Sequence, residues 1–211
     1  MMSVLVDDVK YIGYTCLHPF NGFYELRFRR KRNWFIITSV FLMVGIIAIL
    51  RFYHTGIIAA QFRGIYIDPL FAIGSAVFPF LIFAISNWSV TAIFDGNGKL
   101  ADVLMVLAYA LVPKLFFDLL YIGLSNILIM PELFMLNAIA AIGNIIFGFL
   151  VFCGLCVVHE YGPAKCIVTL IATAVAAILI IFVGVVYMVL MSRLIGLIFT
   201  VFAEITRRGM L

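Results

Sequence analysis

The sequence predicts an all-α, polytopic membrane protein: five transmembrane helices, with an interfacial amphipathic helix at each end of the chain. Three observations carry that expectation. Hydrophobic residues fill 66% of the 211 positions and charged ones only 11%, against roughly 45–50% and 25% in soluble domains. The mean hydropathy is +1.23. The apolar residues also gather into runs long enough to cross a bilayer, separated by short polar turns. Fourteen basic and ten acidic side chains cannot cover a core that includes 21 Phe with polar surface, so a water-soluble globule is excluded.

At the N-terminus, Leu5, Val9, Ile12 and Cys16 recur at helical spacing while Asp7, Asp8 and Lys10 point elsewhere. This predicts a short helix lying on the interface over residues 3–17, stopped by Pro19. His18, Pro19 and Phe20 open a segment running to Leu26, in which Pro19 and Gly22 set a turn and the aromatic rings lodge at head-group depth. A basic block follows, Arg27, Arg29, Arg30, Lys31 and Arg32. Such a block beside a first span stays on the cytoplasmic face and meets anionic lipid head groups. Nucleic-acid binding is rejected, because Trp34 and a membrane span follow at once. Residues 1–33 thus form a cytoplasmic N-terminal region, with no secretory leader expected before the first apolar run.

A span needs about 20 mostly apolar residues, and residues 34–53 supply the first. Arg63, Gly64 and the Asp68-Pro69 pair interrupt the chain before the second, residues 70–94. The run Asp95-Gly96-Asn97-Gly98-Lys99 predicts a tight hairpin, since two glycines and an Asn admit positive φ cheaply. The third span covers residues 102–130 and is interrupted by Pro113; Pro131 and Glu132 separate it from the fourth, residues 133–158. A polar turn containing Gly162-Pro163 leads to the fifth, residues 166–191, which closes a five-helix domain over residues 34–191. From Cys166 to Arg208 one helix would run about 65 Å, more than twice the hydrocarbon thickness, so a bend is expected. Arg193, Gly196, Thr200, Glu204 and Arg207 share one stripe, which predicts a C-terminal interfacial helix over residues 192–211 rather than a sixth crossing.

With the N-terminus inside, eight basic residues lie on the cytoplasmic side and five on the other, the direction the positive-inside rule favours. Lys114 remains within the bilayer. The placement expected is a cell membrane, crossed five times.

Lys114 and Asp118 are the costliest residues, because a charge near mid-span costs about 2.5–3.5 kcal/mol on insertion scales. Four apart on a helix, they can pair, and Pro113 frees backbone carbonyls beside them. Mutual neutralisation is the plain reading; a proton or ion site is its rival. Cys153, Cys156 and His159, with Cys166 across the turn, have a spacing that a metal could use, but cysteines packing as small, soft residues are the default. The cytoplasmic end where these cysteines cluster is reducing, so free thiols are expected. Neither a zincin helix, a nucleophile elbow nor a phosphate-binding loop is present, and no cofactor is implied. Asn87, Asn126 and Asn144 are candidates for hydrogen bonds between helices. Ala140, Asn144 and Gly148 on span four, and Ala172 and Ala176 on span five, favour close backbone approach.

The combination of His18-Pro19-Phe20 through Glu25 before a basic block, Pro79-Phe80 to Asn87-Trp88, Asp95-Gly96-x-Gly98, and Ala108-Tyr109-Ala110-Leu111-Val112-Pro113 resembles the bacterial branch of the Yip (Ypt/Rab-interacting protein) family. His159 and Lys165 at the next turn fit the same pattern, and the resemblance covers nearly the whole chain. It implies five spans, a cytoplasmic N-terminus and a non-enzymatic role. Eukaryotic members bind prenylated small GTPases and shape early secretory membranes, but they have a long cytoplasmic N-terminal region not seen in this sequence, so that role is not carried over. Some bacterial members are encoded beside sugar-type ABC transporters, which implies an accessory subunit held to a membrane-protein partner. His18, Pro19, Phe20, Asp95, Gly96, Gly98, Lys99 and His159 are the residues expected to meet that partner, and membrane lipids surround the rest. The rival expectation is a small transporter or lipid-translocating protein that works through Lys114 and Asp118, with Pro113 as a hinge.

Overall fold

The computed structural model describes residues 2–29, 33–56 and 68–209, with side chains from position 10 onward except at 202, 203, 205 and 207–209. Arg30, Lys31, Arg32 and Arg63 therefore lie outside the described residues. Among the described residues seven helices follow one another: α1 (Met2–Leu17), α2 (Pro19–Phe28), α3 (Trp34–His54), α4 (Pro69–Ile93), α5 (Leu100–Ser125), α6 (Leu133–His159) and α7 (Pro163–Gly209), with a 3₁₀ turn at Met130–Glu132 before α6. No strand occurs among the described residues. Five helices, α3 to α7, are long and apolar enough to cross a membrane, as the hydropathy demanded.

The helix starts follow from their sequences. The Asn33 side chain accepts a hydrogen bond from the Phe35 N–H (3.1 Å), and Asp68 accepts one from the Leu70 N–H (2.9 Å) with Pro69 at the first helical position, so orphan donors are satisfied at each N-terminus. At α5 the Asp102 carboxylate reaches back to accept the Lys99 N–H (2.9 Å). Pro113 lies inside α5 without ending it. In the middle of the bundle α5 packs against α6, α3 and α4, and α7 packs against α4. Val103, Val106, Ala108 and Ala110 of α5 are fully buried.

Four expectations are corrected. The third span ends at Ser125, not near Met130, because Asn126 caps α5 and turns its side chain to the His54 carbonyl (2.8 Å). The segment after His18 is a helix, not a turn: His18 is its N-cap and Pro19 its first residue. Gly22 serves close approach there, since a Cβ on it would stand 2.7 Å from Thr15 Cα of α1. Tyr11 ties the two helices by donating to the Gly22 carbonyl (2.9 Å). In the 95–99 hairpin the positive φ falls on Asp95 (55°), and neither Gly96 nor Gly98 has one. Gly96 and Gly98 instead leave room for His159 and Tyr161, whose atoms a Cβ would meet at 2.6 to 2.9 Å.

The fourth correction concerns the end of the chain. No bend separates the fifth span from the C-terminal segment, and α7 is one helix of 47 residues, about 70 Å long. Pro163 at its start is its last proline, and two hydroxyls beyond mid-helix donate back within the helix. Ser192 donates to the Val189 carbonyl (2.8 Å) and Thr200 to the Gly196 carbonyl (2.9 Å), so nothing forces a break.

Candidate functional site

Polar side chains converge at two places, one within the spans and one at the end of the bundle that carries α1 and α2. Within the spans, one helical turn brings Lys114 Nζ to 2.8 Å from Asp118 Oδ2. The pairing expected from the spacing is thus present, and α3 adds a third member. Arg51 Nη1 stands 3.5 Å from Asp118 Oδ1, and its guanidinium lies 4.7 Å above the Tyr121 ring centroid. One buried carboxylate holds two cations, of which Arg51 is half-exposed. Sequence alone assigns Arg51 no partner, because in the topology count it is one of the five basic residues on the non-cytoplasmic side. Its place near the end of the first span, at a depth matching Asp118 near the end of the parallel third span, was the available signal. A groove of about 510 Å³ lies on α4, lined by Leu70, Phe71 and Phe78, and shares no residue with this cluster.

The second convergence is built by the C-terminus of α6. Glu160 takes a left-handed backbone (φ 56°, ψ 36°), and the Tyr161 N–H closes onto the Cys156 carbonyl at 2.9 Å, a Schellman-like stop. Left-handed geometry costs a non-glycine residue about 1–2 kcal/mol, and here it aims the carboxylate at α2. Arg27 meets Glu160 at 3.4 Å and donates to the Asn97 carbonyl at 3.2 Å. Its side chain is 11% exposed. Arg27 is therefore not a lipid-facing member of the basic block: it lies four residues after the buried Phe23, so the helical period turns it inward. Arg29 is exposed.

His159 is 2% exposed. Asn87 donates through Nδ2 to Thr173 Oγ1 of α7 (3.1 Å), which leaves its Oδ1 to accept from His159 Nε2 (3.1 Å). Three spans are thus tied by one carboxamide. His159 Nδ1 and one Arg27 Nη are buried without a partner. Tyr161 stacks on His159 (5.4 Å, 23°) and donates to the Phe94 carbonyl at 2.9 Å. Burial raises the Tyr161 pKa, with the Asp95 carboxylate acting in the same direction, which keeps the phenol a donor. Tyr161→Phe is expected to remove about 1 kcal/mol of stability, read as a lower melting temperature in detergent.

Of the residues expected to meet a partner, His18, Phe20, Asp95 and Lys99 are exposed, whereas Gly98 and His159 are buried in this intramolecular cap. Pro19 and Gly96 are half-buried. Asn87 and Asn126 bridge helices; Asn144 is exposed on α6. All four cysteines are free thiols. Cys166 Sγ points to the Phe152 carbonyl (3.8 Å) while His159 turns to Asn87, so the histidine does not join the cysteines. No group of three or more His, Cys, Asp or Glu among the described residues is arranged to hold a metal.

Compared with known proteins, the chain matches a family model, the Yip1 domain, over residues 14–186. No curated protein and no solved structure matches it.

Proposed function

Because the chain belongs to the Yip1 family, we propose that it is a non-enzymatic, five-span scaffold that holds a larger membrane-protein partner. Its N-terminus and basic block lie on the cytoplasmic side of a cell membrane in this reading, and an ABC transporter is the kind of partner meant. The reading draws its support from how the ionic groups are used. The Lys114, Asp118 and Arg51 charges close on one another, and the polar cap at Arg27, Asn87 and His159 spends its hydrogen bonds on locking helices together. What stays open at that end is a surface bearing His18, Phe20, Asp95 and Lys99, suited to docking rather than turnover.

The tagged protein, extracted from its own membranes in gentle detergent, is expected to elute with a larger complex. Phe20→Ala with Lys99→Glu is expected to release that complex while the protein still inserts and folds. A partner-free, monodisperse wild type would remove the proposal. The rival, a small transporter or lipid-translocating protein, requires that Lys114→Leu with Asp118→Leu abolish cellular function at normal insertion.

A further inference from the structure

The lipid-facing side of α6 carries two carboxamides. Asn137 and Asn144 are both exposed, and among the described residues neither side chain has a hydrogen-bond partner. Asn144 lies eleven residues into the helix, about 16 Å from its start, which places it near mid-bilayer. Hydrocarbon tails offer nothing to an amide, and an unpaired polar group there is costly. The two residues are seven apart, one heptad, and so occupy the same position on the helix face. Ala141 and Gly148 fall on the same stripe and are exposed too. A Cβ on Gly148 would touch nothing within 4 Å, so the stripe is low and unobstructed.

We propose that this face of α6 pairs with α6 of a second copy of the chain, forming a parallel two-fold dimer in the membrane. The occupant follows from symmetry and chemistry. Copies inserted in the same direction can pair their α6 helices about an axis along the membrane normal, which sets Asn137 against Asn137 and Asn144 against Asn144. A carboxamide both donates and accepts, so each satisfies its own copy without any third group. Small residues between them allow the close approach that such bonds need. The opposite side of α6 is already occupied by α5, with Leu136, Gly143 and Leu150 buried, so the dimer leaves the bundle intact. This inference is independent of the partner proposed above.

The test uses the full-length chain reconstituted in liposomes. Energy transfer between donor- and acceptor-labelled copies is expected to exceed the random-crowding level and to persist on lipid dilution. Asn144→Leu with Asn137→Leu is expected to weaken dimerisation by about tenfold or more, with an unchanged helical content and melting temperature. Gly148→Cys is expected to give an oxidative cross-link at twice the monomer mass, whereas Ile142→Cys, exposed but turned more than about 100° away on the same helix, is not. Monomeric wild type at all dilutions, a dimer untouched by the Asn substitutions, or equal cross-linking at 142 and 148 would each overturn the proposal.

Discussion

Asp118→Leu is expected to cost the folded protein about 3–5 kcal/mol, the amount lost when one partner of a buried ionic group is removed. Asp118 is 8% exposed and stands between Lys114 at 2.8 Å and Arg51 at 3.5 Å. Without it two cations face each other at span depth. Lys114→Leu should be milder, because Arg51 still answers the carboxylate. Lys114→Leu with Asp118→Leu removes both members of the short pair, and the half-exposed Arg51 can turn outward toward the head groups. Melting in detergent should therefore rank wild type and the double variant close together, then Lys114→Leu, then Asp118→Leu. A double variant as unstable as Asp118→Leu would mean that compensation between these charges is not what the cluster does.

Phe23→Ala carries the second large effect, about 3–5 kcal/mol for emptying a buried aromatic site. Phe23 is fully buried. Its ring edge would lie 3.2 Å from a Cβ placed on Gly154 of α6, so the ring fits against bare backbone. Losing it frees α2 from the bundle, and with it the aim of Arg27 at Glu160. Faster trypsin cleavage after Arg29 and a lower melting temperature are the expected readouts. Filling the same contact from the other side, Gly154→Val, should act alike, because its Cβ would also stand 2.5 Å from Val106 Cγ1. Wild-type protease resistance in Phe23→Ala would show that α2 is held elsewhere.

The long elements were legible because a bilayer imposes a length and a composition that few other environments demand. The Lys114 and Asp118 pairing was legible as well, since helical spacing alone brings the two side chains together. Arg51 was not, because its contact joins two helices separated by more than sixty positions, and no local rule reports which neighbours share a depth. The same holds for Arg27. Its neighbours Arg29 to Arg32 read as a solvated or lipid-facing block, and only the docking of α2 on α6 distinguishes it. The glycines of the 95–99 hairpin show a different failure. Turn chemistry assigns them positive φ, yet the tertiary packing of His159 and Tyr161 needs only that they lack a side chain.

One consequence of the uninterrupted α7 is mechanical. Among the described residues, the buried side chains of α7 are confined to its foot, where Cys166, Thr169 and Thr173 lie and Thr173 receives the Asn87 amide. Beyond that pivot a rigid rod continues with no hinge to absorb rotation. A slight rocking at the Asn87 clasp is therefore magnified at the rod's far tip in proportion to its reach, so a disturbance too small to disrupt the cap would still be felt a full membrane's width away.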